Sequence, residues 1–403
     1  MKKSIEILTA TGVLLLLMLC GCGRQPASPD EVDRWITELS AQYVPDRRLE
    51  LAEVTREVAG HDGGEVLRGV TTSPGFMEGL MQKIDSAHLS RRFSDSVIRL
   101  PDPALGERTW GLINVAVGNI RTRPGHAQEL TTQAVMGTPV RVLQYQDGWY
   151  RIQTPERYIA WIDEAAIQRF TGDEIDLWRK SERLIFTEDF GLIRSADEPE
   201  TIVSDLAMGA LLQREGMQGV DIIVVLPDGR RGIAPARSFF SFSDLPAAPI
   251  PDYPAMFDMA RSFMGRPYLW GGTSPRGVDC SGYMKCLFLM QGIILSRDAN
   301  QQVRHGIEIP LDDHFSALIP GDLLFFGRRA TPDRPERVSH VALYLGDGKY
   351  IHASGRVKIN SLMEGDDDYS HYLKDILLHA RRIQETDPDR GPWSMKTHPW
   401  YRL

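Results

Sequence analysis

Tyr268-Leu269-Trp270-Gly271-Gly272, followed by Asp279-Cys280-Ser281-Gly282, decides the reading of this chain, because a glycine-rich approach delivers Cys280 to the start of a helix. Asp279 is a sound N-cap for that helix. The unpaired amides and the dipole of a helix start favour a thiolate over a thiol. Met284, Leu287 and Phe288 return at helical spacing, which predicts a core-facing stripe over Ser281 to Met290, closed by Gly292. Cys286 falls off that stripe and reads as structural. A lone cysteine packs as a small hydrophobe by default. Cys280 departs from that default through its capping aspartate, its glycines and two histidines downstream.

Those histidines flank a hairpin. Val341-Ala342-Leu343-Tyr344-Leu345 reads as a strand opened by His340, Gly346-Asp347-Gly348 as a three-residue turn, and Lys349-Tyr350-Ile351-His352 as the return strand. Such a turn pairs Leu345 with Lys349, and hence Ala342 with His352. The two-residue period of a strand then sets His340 and His352 on one face as diagonal neighbours. His340 would be the base toward Cys280, and His352 would fix its ring and tautomer. A metal site built from Cys280, His340 and His352 is the main alternative chemistry. No HExxH-type motif supplies the acid-base carboxylate that a hydrolytic zinc site needs, so neither metal nor other cofactor is expected.

The N-terminal residues bear on location. Lys2 and Lys3 precede an apolar run from Val13 to Leu19, and Gly21 stands before Cys22. This reads as an export signal over 1–22. Its end resembles the lipobox of bacterial lipoproteins, which implies a lipidated Cys22 and an exported, membrane-anchored protein facing the periplasm or cell-wall compartment. A plain signal peptide or a membrane anchor is the alternative. The chain has 403 residues, a formal charge of −8 and four cysteines. The charge argues against a nucleic-acid partner, and so few cysteines in an exported chain argue against a disulfide framework.

The length allows several domains. Helical spacing of Val32, Trp35, Ile36 and Leu39, with Asp30 as a possible N-cap, resumes over Leu49 to Val58 and Phe76 to Ile84. This predicts a mainly helical segment over 28–105 with no nameable chemistry. Short β-like runs follow, and they repeat. Ile120-Arg121-Thr122 matches Ile193-Arg194-Ser195, Ala134-Val135-Met136-Gly137 matches Leu206-Ala207-Met208-Gly209, and Arg157-Tyr158-Ile159-Ala160 matches Arg231-Gly232-Ile233-Ala234. Two copies of one small β-barrel are predicted, over 110–180 and 181–245. Copy one has Tyr158 and Trp161 where copy two has Gly232 and Pro235, so only the first can present an aromatic wall, although core burial suits Trp161 equally. Pro246 to Pro254 read as a linker, and the catalytic domain is expected over 255–385 as helices packed on an antiparallel sheet, an α+β architecture. Trp393, Trp400 and Tyr401 imply that the tail docks.

The stretch from Tyr268 through Ala353 resembles the NlpC/P60 family of cell-wall cysteine peptidases, which are papain-like in fold. Cys280, His340 and His352 match its triad and Tyr268 the tyrosine near its oxyanion site; Pro320-Gly321-Asp322-Leu323 and Ser339-His340-Val341 also fit. Each repeat resembles a bacterial SH3 domain. Together these resemble the branch of γ-D-glutamyl-L-diamino-acid endopeptidases, in which the first SH3 domain closes one end of the groove and a free N-terminal L-alanine is required. The resemblance implies peptidoglycan stem peptides as substrate, with Glu129 and Asp279 facing the amine, and Tyr158, Trp270 and Ser281 lining the pocket. Asn300 departs from the small hydroxyl residue that related enzymes often have. Two other functions stay open at this point: a noncatalytic cell-wall binding protein, for which paired SH3 domains suffice, and a papain-like acyltransferase using the same thiol.

Overall fold

A computed structural model describes residues 29–59 and 64–402. The lipobox and Cys22 lie outside the described residues. Among the described residues no helix is long and apolar enough to cross a membrane.

The N-terminal unit corrects the helical expectation. Helices Pro29–Tyr43 and Pro74–Ser86 form, but 52–59 is a strand. It pairs antiparallel with Gly64–Thr71, which pairs parallel with Phe93–Arg99. The second helix is the crossover that a parallel pair requires. Pairing prevailed over the helix-forming Ala and Glu residues of that stretch, since strand pairing readily overrides so weak a propensity. The first helix begins at Pro29, so Asp30 lies inside its first turn and not at its N-cap.

Two seven-stranded sheets follow. With the strands of each sheet numbered 1 to 7 in chain order, both sheets run 7-1-4-5-6-2-3 from edge to edge, so both copies share one topology. The linker leads to helix Tyr253–Ser262, capped by Asp252, and then to helix Cys280–Leu289. The latter lies against an antiparallel sheet of six strands, ordered Ile307–Ile309, Leu377–Arg382, Leu323–Arg328, Arg337–Gly346, Lys349–Ser354 and Arg356–Ser361. Met284, Leu287 and Phe288 are fully buried with Phe325, Val341, Leu343 and Ile351. Each such side chain contributes roughly 1.5–3 kcal/mol by leaving water, which makes the helix a rigid mount for its first residue. The tail does dock: Ile293–Ile294 pairs with Trp393–Ser394, and Trp393 and Tyr401 are buried.

Contacts between units are specific. Gln133 of the first barrel donates its amide to Thr273 Oγ1 at 2.9 Å and accepts from the Thr273 amide at 3.0 Å. Lys285 of the nucleophile helix pairs with Glu156 at 2.6 Å in a largely buried contact. Gly271 has φ +79°, and a Cβ there would sit 2.3 Å from the Leu130 carbonyl oxygen, so the loop before Cys280 packs backbone to backbone on the first barrel.

Candidate active site

Cys280 is the first residue of its helix, and Asp279 caps it by accepting from the Gly282 amide at 2.7 Å. A Cβ at Gly282 would lie 2.0 Å from the Gly272 carbonyl oxygen, which explains why glycine stands two residues after the thiol. The backbone amides of Ser281 and Val341 act on Sγ in the direction that favours the thiolate. The second of these belongs to the residue after His340, so helix and strand meet at the sulfur. Cys280 and Cys286 are both free and buried.

The hairpin differs from expectation in its turn but not in its alignment. Asp347 and Gly348, with φ of 50° and 74°, form a two-residue turn, and the strand takes up the extra residue as a bulge between Tyr344 and Gly346. Leu343 opposes Ile351, which sets Ala342 opposite His352 one step on. His340 and His352 therefore share a face, with Nε2 of the first 2.7 Å from Nδ1 of the second.

A fourth member, which sequence reading missed, fixes the protons. His352 Nε2 lies 2.9 Å from Asn360 Oδ1, while Asn360 Nδ2 donates to the Asp368 carbonyl at 2.8 Å. That second bond orients the amide, so Oδ1 must accept and His352 Nε2 must carry hydrogen. A neutral His352 then accepts at Nδ1, so His340 Nε2 carries hydrogen and His340 Nδ1 is the lone pair available to the thiol. Both ring nitrogens of His352 are used, and neither is left to hold a metal. Among the described residues no group of three or more His, Cys, Asp or Glu is arranged to hold a metal ion.

Burial, with the neighbouring His352 and Lys358, pushes His340 down to about 3. Burial also lowers His352 to about 4, against the opposing hydrogen bond that it donates to Asn360. Burial and then Asp279 push the Cys280 thiol up to about 12, outweighing its two amide donors and helix position. The resting pair is thus neutral thiol and neutral imidazole across ordinary pH.

The thiol opens on a cleft of about 470 Å³. Glu129, Tyr158, Tyr268, Trp270, Asp279 and Ser281 all line it. Burial and then the nearby Cys280 raise Tyr268, and burial and then Asp298 raise Tyr158, so both phenols stay protonated as donors. Glu129 Oε1 accepts from the Trp270 indole at 2.8 Å. Asp279 does not fit an amine-facing role. Its oxygens accept from the Gly271 amide at 3.0 Å, from the Gly282 amide, and from buried Arg297 at 2.5 and 3.2 Å. A carboxylate so occupied is a cap and a clamp. Ser281 Oγ likewise turns inward, accepting from Arg297 at 3.0 Å.

Two further wall residues escaped the sequence reading. Asp298 lines the cleft, and Arg48 reaches it from the N-terminal unit. Arg48 donates to Asp298 Oδ2 at 2.6 Å and to Asn300 Oδ1 at 3.1 Å, while its carbonyl accepts the Ile159 amide at 2.7 Å. Asp46 clamps the same guanidinium at 2.6 Å and accepts from Gln301 at 2.9 Å. No local motif marks Arg48, whose partners lie 250 and 252 residues away.

A buried thiol at a helix start beside an antiparallel sheet that carries two imidazoles and an amide in line is a papain-like arrangement. Residues 265–382 match the NlpC/P60 family and form an NlpC/P60 domain, and residues 120–167 match the bacterial dipeptidyl-peptidase SH3 domain. The chain is 27% identical over 242 residues to the gamma-D-glutamyl-L-lysine dipeptidyl-peptidase of Bacillus cereus, covering 57% of this chain and 68% of the relative. It is 26% identical over 278 residues to dipeptidyl-peptidase 6 of Lysinibacillus sphaericus, covering 66% of this chain and 95% of the relative. The crystal structure of an NlpC/P60 family protein from Bacillus cereus shares the fold, with a TM-score of 0.57 at 22% identity over 68% of this chain and 99% of the other.

Proposed function

We propose that this protein is a cell-wall cysteine peptidase that hydrolyses the γ-D-glutamyl–diamino-acid bond of peptidoglycan stem peptides bearing a free N-terminal L-alanine. The single observation carrying the reading is that the buried Cys280 thiol opens on a cleft walled by the first barrel, while the neighbouring sheet holds His340, His352 and Asn360 in one hydrogen-bonded line. The name of the Bacillus cereus relative supports the γ-D-glutamyl bond, and that of dipeptidyl-peptidase 6 supports release of a dipeptide.

The thiol proton passes to His340 Nδ1 as Sγ attacks the γ-carbonyl. The oxyanion forms beside the Tyr268 hydroxyl and the Cys280 amide, which opens the helix with no carbonyl behind it inside the helix. His340, now doubly protonated and held by His352, gives its proton to the leaving amine. Water, deprotonated by His340, then releases the acid from the thioester. At the amine end, Glu129 supplies a carboxylate with no cation beside it, while Asp298 is shared with Arg48. An N-acylated alanine brings bulk and leaves Glu129 without its partner.

Mass spectrometry of digests of L-Ala-γ-D-Glu-diamino-acid peptides and their N-acylated counterparts tests bond and terminus together. Cleavage at the γ-D-glutamyl bond of the free peptides alone is expected. Equal cleavage of both sets would defeat the free-amine requirement, and transfer of the acyl group to an added amine in place of water would favour an acyltransferase. A lipid anchor at Cys22 belongs to the same proposal, and intact-mass analysis of the exported protein finding Cys22 unmodified would remove it.

A further inference from the structure

Away from the cleft, a pocket of about 390 Å³ opens where the second barrel, the linker and the C-terminal tail meet, lined by Arg183, Phe242, Lys396 and Arg402 with several hydroxyl residues. Arg183 is 5% exposed, and its guanidinium lies 4.2 Å from the Phe242 ring centroid and 4.6 Å from that of Trp178. Its Nε and Nη1 have no hydrogen-bond partner. Aromatic faces attract the cation but offer nothing to N–H groups that point outward in its plane.

The contrast with the other buried arginines is informative. Arg297 holds Asp279 at 2.5 Å and Arg151 holds Glu53 at 2.5 Å. Arg183 alone of the three has no carboxylate among the described residues. Burial depresses its pKa to about 10, the direction expected of a cation out of water without a counter-ion. Its neighbours do not supply one. Lys396 Nζ donates to the Ser243 carbonyl at 2.8 Å and Arg402 Nε to the Thr397 carbonyl at 2.8 Å, so backbone oxygens position both cations without neutralising them. Among the described residues lining the pocket the one carboxylate, Glu182, is turned to Arg214 at 2.6 Å.

We propose that this pocket binds an oxyanion of the phosphate type, with Arg183 as its buried anchor and Lys396 and Arg402 as its rim. Three cations held by rings and carbonyls, beside the hydroxyls of Ser181, Ser241, Ser243 and Thr397, complement a compact dianion with several acceptor oxygens. The phosphate is either free or the headgroup of an anionic lipid.

Thermal unfolding of the full chain in inorganic phosphate, against chloride at equal ionic strength, tests the site. A saturable rise of the midpoint with phosphate is expected. Arg183→Met should abolish it, and exposed Arg402→Gln, which leaves the core untouched, should weaken apparent affinity by about tenfold or more. Turnover of stem peptides should be unchanged in Arg402→Gln. Co-sedimentation with phosphatidylcholine vesicles that contain or lack phosphatidic acid separates the two sources: retention only with phosphatidic acid, lost in Arg402→Gln, assigns a lipid headgroup. A midpoint that responds equally to phosphate and chloride overturns the proposal. So does a phosphate response that Arg402→Gln leaves intact.

Discussion

The two barrels have one topology and opposite relations to the chemistry. The first lends Glu129, Thr131 and Tyr158 to the cleft, while none of the residues 181–245 lines it. The difference sits in single positions. Tyr158 is 7% exposed and meets the cleft; the register of the second sheet corrects its expected match, since Gly232 opposes Val224 as Ala160 opposes Ile152, and the Leu226–Arg230 hydrogen bond mirrors Thr154–Tyr158, so Arg230 stands at the Tyr158 position. Where the first copy places an aromatic wall, the second has an exposed arginine paired with Asp228 at 2.7 Å. Trp161, the other aromatic of copy one, is buried under Arg151 and takes no part in the cleft. Two scaffolds share one topology, and only the copy packed against the Gly271 loop walls the Cys280 cleft.

The comparison can be broken or sharpened by substitution. The largest effect lies outside both barrels: Cys280→Ala should cut kcat/KM by roughly 10⁴-fold or more while circular dichroism and thermal midpoint stay near those of the parent. Residual turnover near the parent level would show that neither barrel walls the true site. Next, Asn360→Leu should lower kcat by about 10–100-fold with little change in KM, because His352 loses the acceptor that sets its tautomer. An unchanged kcat would remove Asn360 from the line. The barrel residues come third. Glu129→Gln and Tyr158→Ala should each shrink the preference for free over N-acylated peptide by roughly tenfold, acting mainly on KM. Preference untouched in both would place the selectivity in the catalytic domain alone. The converse change, Arg230→Tyr, should leave selectivity as it was, because no residue of 181–245 lines the cleft.

The smallest effect is on pH dependence. Because His352 and His340 are held near 4 and 3, kcat/KM should stay level through neutral pH and fall only as pH drops toward about 4. There a proton on His352 Nδ1 displaces the bond from His340. The same groups affect stability with a definite sign. The unfolded chain takes up protons below the usual 6.5 of histidine while the folded chain does not until about 4, so stability should decline as pH falls between those values. His305 and His398, each lowered by burial to about 4, add to that decline. Urea midpoints across this range would measure it.

What the sequence made legible was local. Cys280 and its cap lie within a few residues of each other, and the two histidines are joined by one hairpin whose alternation fixes their common face. Asn360 lies one strand further, where a second hairpin turning at Gly355 with φ of 71° pairs His352 with Lys358 and brings Asn360 diagonally onto the histidine. The same periodicity would have found it had the third strand been followed. Arg48 had no such signal, since its place depends on how three separately folded units meet. The strand at 52–59 was misread for a related reason: Val54, Arg56 and Val58 do alternate, but the pairing partner that selects strand over helix is a separate segment.

The Arg48–Asp298 contact, with the Arg48 carbonyl on the Ile159 amide, ties the N-terminal unit, the first barrel and the catalytic domain into one rim. Domain exchange or truncation at 105 would therefore leave every reacting atom in place and alter only which molecules reach it. Activity on a small synthetic amide would survive such surgery while discrimination among muropeptides would not, so the two properties are separately heritable within a single polypeptide.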